Sequence, residues 1–203
     1  MCWNAPISWI TFILGTIINV YIATILPKQY RIWAVFFQLI ITVQLGEALI
    51  WGGTYSHIGS YIAFFCVWLQ PIMLSIILNY YNVKPAFQYT LYALLAIYFA
   101  VSIPNFRNLY QNEYQPELCG DGGKHIDFTA WDNGGEMGFM YLLTALFGVA
   151  CLIPQFPYVG VYLVLTMVIS LCFYARTYAS LWCWFAVFSP LVYYAELRIG
   201  NKL

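Results

Sequence analysis

The chain has 203 residues, of which 63% are hydrophobic, 20% aromatic and only 8% charged, against about 25% charged in soluble domains. Eight Lys+Arg balance eight Asp+Glu to a net charge of zero, so no basic face exists to neutralise phosphates and nucleic-acid binding is excluded as a function. The composition is that of an integral membrane protein whose partner is the lipid bilayer; spans of about 20 apolar residues each leave no room for a soluble catalytic domain, and neither an enzymatic activity nor a cofactor is expected.

The first apolar stretch, residues 7–26, lacks both a basic segment before it and a small-residue cleavage site after it, and so reads as a retained helix rather than a removable signal. The turn Pro27-Lys28-Gln29-Tyr30-Arg31 leads to a second span, 32–51, ended by Gly52-Gly53. After a link containing His57 comes the third span, 59–80, with Pro71 inside it as a tolerated kink. Asn82-Val83-Lys84-Pro85 turns the chain into the fourth, 86–103, which Pro104 is expected to close. The loop 104–136 then gathers six of the eight acids: Glu113, Glu117, Asp121, Asp127, Asp132 and Glu136. Spans 137–153 and 158–174 follow, joined by Pro154-Gln155-Phe156-Pro157, and a last span, 178–197, contains Pro190. The predicted fold is therefore all-α: one integral membrane domain over 1–203, a seven-transmembrane helix bundle with one longer extracytosolic loop.

Lys28, Arg31, Lys84, Arg198 and Lys202 fall on one side of this topology and Arg107, Lys124 and Arg176 on the other. Five cations against three place the first side in the cytosol, with the N-terminus extracytosolic and the C-terminus cytosolic. Trp9, Trp33, Trp51, Tyr80, Tyr81 and Tyr178 near the span ends suit interfacial belts.

Five short motifs occur in order: Met1-Cys2-Trp3-Asn4; Gln44-Leu45-Gly46-Glu47 with Trp51; Gln70-Pro71; Cys119 with His125-Ile126 and Trp131; and Ser180-Leu181-Trp182-Cys183-Trp184. As an ordered set they resemble an uncharacterised family of small polytopic membrane proteins found in large DNA viruses of algae and protists and in some of their hosts. That resemblance covers nearly the whole chain and implies a viral protein set in a virion or host endomembrane. It carries no activity. The sequence departs from the family pattern two residues beyond the His-Ile pair, where Phe128 stands in place of a tryptophan and Trp131 follows.

Glu47 is the one acid expected well inside the apolar zone, where a carboxylate costs several kcal/mol unless paired, protonated or wetted. Gln44 at i−3 and Trp51 at i+4 share its helix face, Gln70 is placed to meet that face, and Ser180, Cys183 and Trp184 form a stripe on the last span. A polar, tryptophan-walled site binding a small solute or cation through Glu47, Gln44, Gln70, Trp51, Ser180 and Trp184 is the functional reading; hydrogen-bonded packing of the same groups is the structural one. Cys2 and Cys119 are the two cysteines outside the spans, on one side, and a disulfide between them is expected in an oxidising compartment. His57 and His125 lie on that side too but in no metal-ligand spacing, so no metal is expected. Gly120-Asp121-Gly122-Gly123-Lys124 lacks the residues of a phosphate loop, and no lysine lies within the last span to carry a retinal. The expected function is a channel or transporter for protons, ions or a small solute. The rivals are a structural or assembly protein of a viral or organelle membrane, and a seven-helix ligand receptor.

Overall fold

The computed structural model describes residues 4–111, 116–118, 124–126, 136–173 and 178–203, with backbone only over 107–111, 116–118, 124–126, 173 and 178–181. Among these, eight helices follow in order: α1 (Ala5–Ile25), α2 (Ile32–Gly52), α3 (Ser56–Tyr80), α4 (Pro85–Gln111), α5 (Glu136–Leu152), α6 (Pro157–Phe173), α7 (Tyr178–Ala186) and α8 (Ser189–Ile199). Between α4 and α5, β1 (Pro116–Leu118) pairs antiparallel with β2 (Lys124–Ile126), Glu117 opposite His125. The body is thus all-helical. Helices α1 to α4 are each long and apolar enough to cross a membrane, while α5 and α6, apolar too, have 17 residues apiece.

The helix ends follow from local chemistry. Asn4 caps α1, its Oδ1 accepting the Ile7 N–H at 3.1 Å, with Pro6 in the first turn where no donor is needed. At the other end Arg31 folds back, its Nε donating to Leu26 O at 2.9 Å, which satisfies a carbonyl left over by the helix. Helix α2 stops at Gly53, whose φ of +76° is open to glycine and strained for other residues.

Three boundaries differ from the sequence reading. Helix α3 starts at Ser56, so His57 lies in its first turn, exposed, with its ring edge-on to Tyr61 at 4.7 Å. Helix α4 does not close at Pro104 but runs on to Gln111; the Asn105 side chain donates to Val101 O and Ser102 to Tyr98 O, hydroxyl and amide groups bonding to carbonyls in the turn that the proline disturbs. The last apolar segment is not one helix. It breaks at residues 187–188, and Pro190 stands in the first turn of α8, the position where its missing N–H and fixed φ are harmless.

Packing centres on α2, which lies against α1, α3, α7 and α8. Asn19 of α1 donates to Ala34 O (2.9 Å) and to Gln38 Oε1 (3.0 Å), and Gln38 passes the bond on to Thr16 (3.1 Å), a polar seam fixing α1 on α2. The turns after α1, α3 and α5 meet at one end of the bundle. There the Tyr81 hydroxyl donates to Gln29 O (3.0 Å), Gln155 Nε2 to Tyr81 O (3.2 Å) and Lys202 Nζ to Gln155 O (3.0 Å). Burial pushes the Tyr81 phenol up to about 12, so it remains a neutral donor at physiological pH. Beneath these bonds Trp33 and Tyr193 pack on each other and each on Phe37 and Phe156, with ring centroids 5.3 to 5.8 Å apart, closing that end with aromatic rings.

Candidate functional site

The face of α2 that carries Glu47 is fixed by backbone contact. A methyl group added at Gly46 would lie 2.7 Å from Gly59 O and 2.8 Å from Ala63 N, and one added at Gly59 would lie 2.5 Å from Gly46 O. The two helices therefore touch through their main chains, which only small residues permit. On α3 the contact stripe is Ser56, Gly59, Ser60 and Ala63, at i, i+3, i+4 and i+7, all buried. Sequence reasoning missed this stripe although its spacing was present, because attention to ionisable groups passes over glycine and serine.

One residue further along α2, Glu47 is 1% exposed and Gln44 2% exposed. Gln44 Nε2 donates to Glu47 Oε2 at 3.1 Å, the i, i+3 pairing that the sequence placed on one face. From the other side α7 brings Cys183, buried and within electrostatic reach of the Glu47 carboxylate and of Cys66 on α3. Glu47 is thus held where α2, α3 and α7 converge, in a dry setting where each of its interactions is strengthened by the low dielectric.

The other expected residues distribute around this point rather than in one ring. Gln70, fully buried, engages α5: the Tyr141 hydroxyl donates to its Oε1 at 2.6 Å. Tyr141 in turn meets Trp182 edge-on, with ring centroids 6.3 Å apart. The tryptophan linked by contact to this polar chain is therefore Trp182, buried with its Nε1 donating to Leu163 O at 3.2 Å, a member of the last motif that was not assigned a role. Trp184, the one that was, lines a groove against α1. Trp51 is half-buried near the end of α2. The side chains of Ser180, Cys2, Cys119 and His125 lie outside the described residues, and so does the expected Cys2 to Cys119 disulfide. Among the described residues no cluster of three metal-ligating groups forms, and the described cysteines Cys66, Cys151, Cys172 and Cys183 are free thiols.

Removing the Tyr141 hydroxyl separates the packing role of this chain from its polar one. Tyr141→Phe keeps the ring against Trp182 and leaves Gln70 Oε1 without its 2.6 Å donor, which is expected to lower stability by about 1 to 2 kcal/mol, seen as a reduced melting temperature of the purified protein. An unchanged melt would mean that this bond contributes nothing.

A second buried carboxylate escaped the sequence reading. Glu196 of α8, 3% exposed, accepts the backbone N–H groups of Tyr158 (3.2 Å) and Val159 (3.0 Å). It caps the first turn of α6 from a different helix, where the unsatisfied amides and the helix dipole both favour negative charge. Near the end of the last apolar segment it reads as an interfacial acid; only the fold places it over the α6 amides.

No protein-family model matches the chain, and no solved structure matches it. Among curated proteins it is similar to an uncharacterized protein of Acanthamoeba polyphaga mimivirus, 20% identical over 239 aligned residues that cover 100% of this chain and 98% of the relative. The viral source of that relative agrees with the source of the family the motifs resemble.

Proposed function

We propose that the chain is a seven-segment membrane carrier or channel for protons or other small cations, with Glu47 as the group that accepts the charge. The observation that carries this reading is the burial of the Glu47 carboxylate between α2, α3 and α7 with an amide partner on its own helix. An ionisable group kept within the apolar zone at a cost of several kcal/mol marks a transport path more readily than it marks packing, for which an amide would serve as well. Two features of the fold support it. The α2–α3 pair, locked main chain to main chain, is a rigid half against which another element can move; and the break between α7 and α8, which begins about one turn after Cys183, is the kind of interrupted helix that transporters use to line a cavity. In this reading the segments cross the bilayer seven times, the N-terminus is extracytosolic and the turns that carry Lys28, Arg31 and Lys84 face the cytosol.

The test is flux into proteoliposomes driven by an imposed proton or cation gradient. Wild type is expected to conduct, and Glu47→Gln, which keeps shape and hydrogen bonding but removes the charge change, is expected to lose the flux while its melting temperature stays within the equivalent of about 0.5 kcal/mol. Equal flux from both proteins would sink the assignment. A structural role in a viral membrane is the second reading, favoured by the fact that Gln44 already supplies a bond to Glu47 within one helix, as packing would require; absence of flux from wild type under every gradient would favour it.

A further inference from the structure

We infer that the seam between α1 and α8 binds an anionic phospholipid, its headgroup at Arg198 and an acyl chain running up α1. The seam has two parts. At the Pro27 end a cavity of about 340 Å³ is lined by Tyr21, Ile25, Pro27, Tyr194, Arg198 and Leu203. Its one charged side chain is a guanidinium, steadied by Nε donating to the Tyr194 hydroxyl at 3.0 Å and lying 5.5 Å from that ring's centre. No lining side chain is acidic, the one carboxylate there being the main-chain terminus at Leu203, and Glu196, the acid nearest in sequence, is turned away onto the α6 amides. Lys28 and Arg31 stand in the turn next to it, adding positive charge of the same sign.

Along the same helix, Tyr21 opens this cavity and Ile18 closes the next. That second space, about 290 Å³, is an apolar groove lined by Ile10, Leu14, Gly15 and Ile18 of α1 and by Trp184 and Phe188 from the α7–α8 segment. Ile10, Leu14 and Phe188 are all exposed there, so the groove opens outward, toward acyl chains when the helices span a bilayer. By the helical rise, the run from Ile25 to Gly15 covers about 15 Å, half of a hydrocarbon core of about 30 Å. A lipid of one leaflet whose phosphate sits at Arg198 therefore places its tail along α1 as far as the apolar groove. A phosphate or other soluble anion would use only the cavity at Arg198; a basic, aromatic-rimmed cavity followed along α1 by a separate apolar groove selects the lipid.

The site requires that the chain be embedded in a membrane and does not depend on transport, so failure of the flux experiment leaves it standing. Purified full-length protein in detergent, given equal amounts of phosphatidylglycerol and phosphatidylcholine of matched chains, is expected to retain the anionic lipid about fivefold over the zwitterionic one in native mass spectrometry, the ratio matching one basic side chain's attraction for an anionic surface. Added phosphatidylglycerol should also raise the melting temperature more than phosphatidylcholine does, and glycerol phosphate should not raise it. Arg198→Gln is expected to lose this increment and Lys84→Gln, a cation at the same end but outside the cavity, to keep it. Equal retention of the two lipids by wild type would overturn the site, a reading that needs no variant to fold. An equal loss in Lys84→Gln would reduce it to general surface charge, and stabilisation by glycerol phosphate alone would make it a site for soluble phosphate; either result also overturns the proposal.

Discussion

Gly46→Leu is expected to leave little folded protein. The first atom of the new side chain already meets backbone, Gly59 O at 2.7 Å and Ala63 N at 2.8 Å, and neither can swing aside as a flexible side chain would. Separating α2 from α3 is the remaining response, and it also displaces α7, which packs on α2 next to the site. Overpacking a well-filled core costs about 1 to 3 kcal/mol where side chains can yield; here, where main chain must yield, the upper end or beyond is expected, a large part of a total stability of about 5 to 15 kcal/mol. Gly59→Leu should match it, since its added atom would meet Gly46 O at 2.5 Å. By contrast Gly52→Leu, at a position where an added methyl meets nothing within 4 Å, should be tolerated. The check is the yield of monodisperse protein and its melting temperature in detergent, compared across the three variants. If Gly46→Leu melts like Gly52→Leu, the helices do not cross as described.

Glu196→Ala is expected to be the most damaging single change outside that crossing, with a loss of about 2 to 4 kcal/mol, two bonds to a charged acceptor at roughly 1.5 to 3 kcal/mol each less what water recovers. The N–H groups of Tyr158 and Val159 would be left facing a void at the start of α6, and Val159 is buried. Glu196→Gln retains one acceptor oxygen but not the charge, and should fall between the alanine variant and wild type. Thermal melting of the three proteins under one condition gives the order. Equal melts for alanine and glutamine would assign the effect to charge alone rather than to acceptor geometry.

How much of this was readable beforehand differs from residue to residue. The all-helical class and the positions of the first four helices followed from apolar length, because a bilayer requires backbone bonds to close within each segment. The Gln44 to Glu47 pair followed too, since helical spacing is local. Pro104 was expected to end the fourth span and Pro190 to lie inside the last, yet the first is carried within α4 and the second starts α8; hydroxyl and amide side chains stand beside Pro104 to bond carbonyls of its turn, and their presence in the sequence was not weighed. Partners across the bundle were the least legible. Gln70 carries no mark in the sequence that directs it to Tyr141 rather than to Glu47, and Glu196 none that directs it to the amides of α6. Of the tryptophans in the last motif, Trp182 meets Tyr141 edge-on, a contact that no local spacing in the sequence announces.

The i, i+3 bond between Gln44 and Glu47 also bears on how the protein enters its membrane. During synthesis α2 must partition into lipid while α7, and with it Cys183, has yet to be made. An acid at the centre of an inserting helix adds about 2.5 to 3.5 kcal/mol to that step; Glu47, five residues from the end of α2, adds less, and at that moment no distant helix exists to offset it. A partner within the same helix is present from the outset. The small-residue stripe of α3, arriving after a three-residue turn at 53–55, is the next surface to reach it. The sequence neighbourhood of Glu47 thus serves the nascent chain before it serves the finished bundle, and Gln44 acts as an escort for the carboxylate across the one stage at which the rest of the site does not exist.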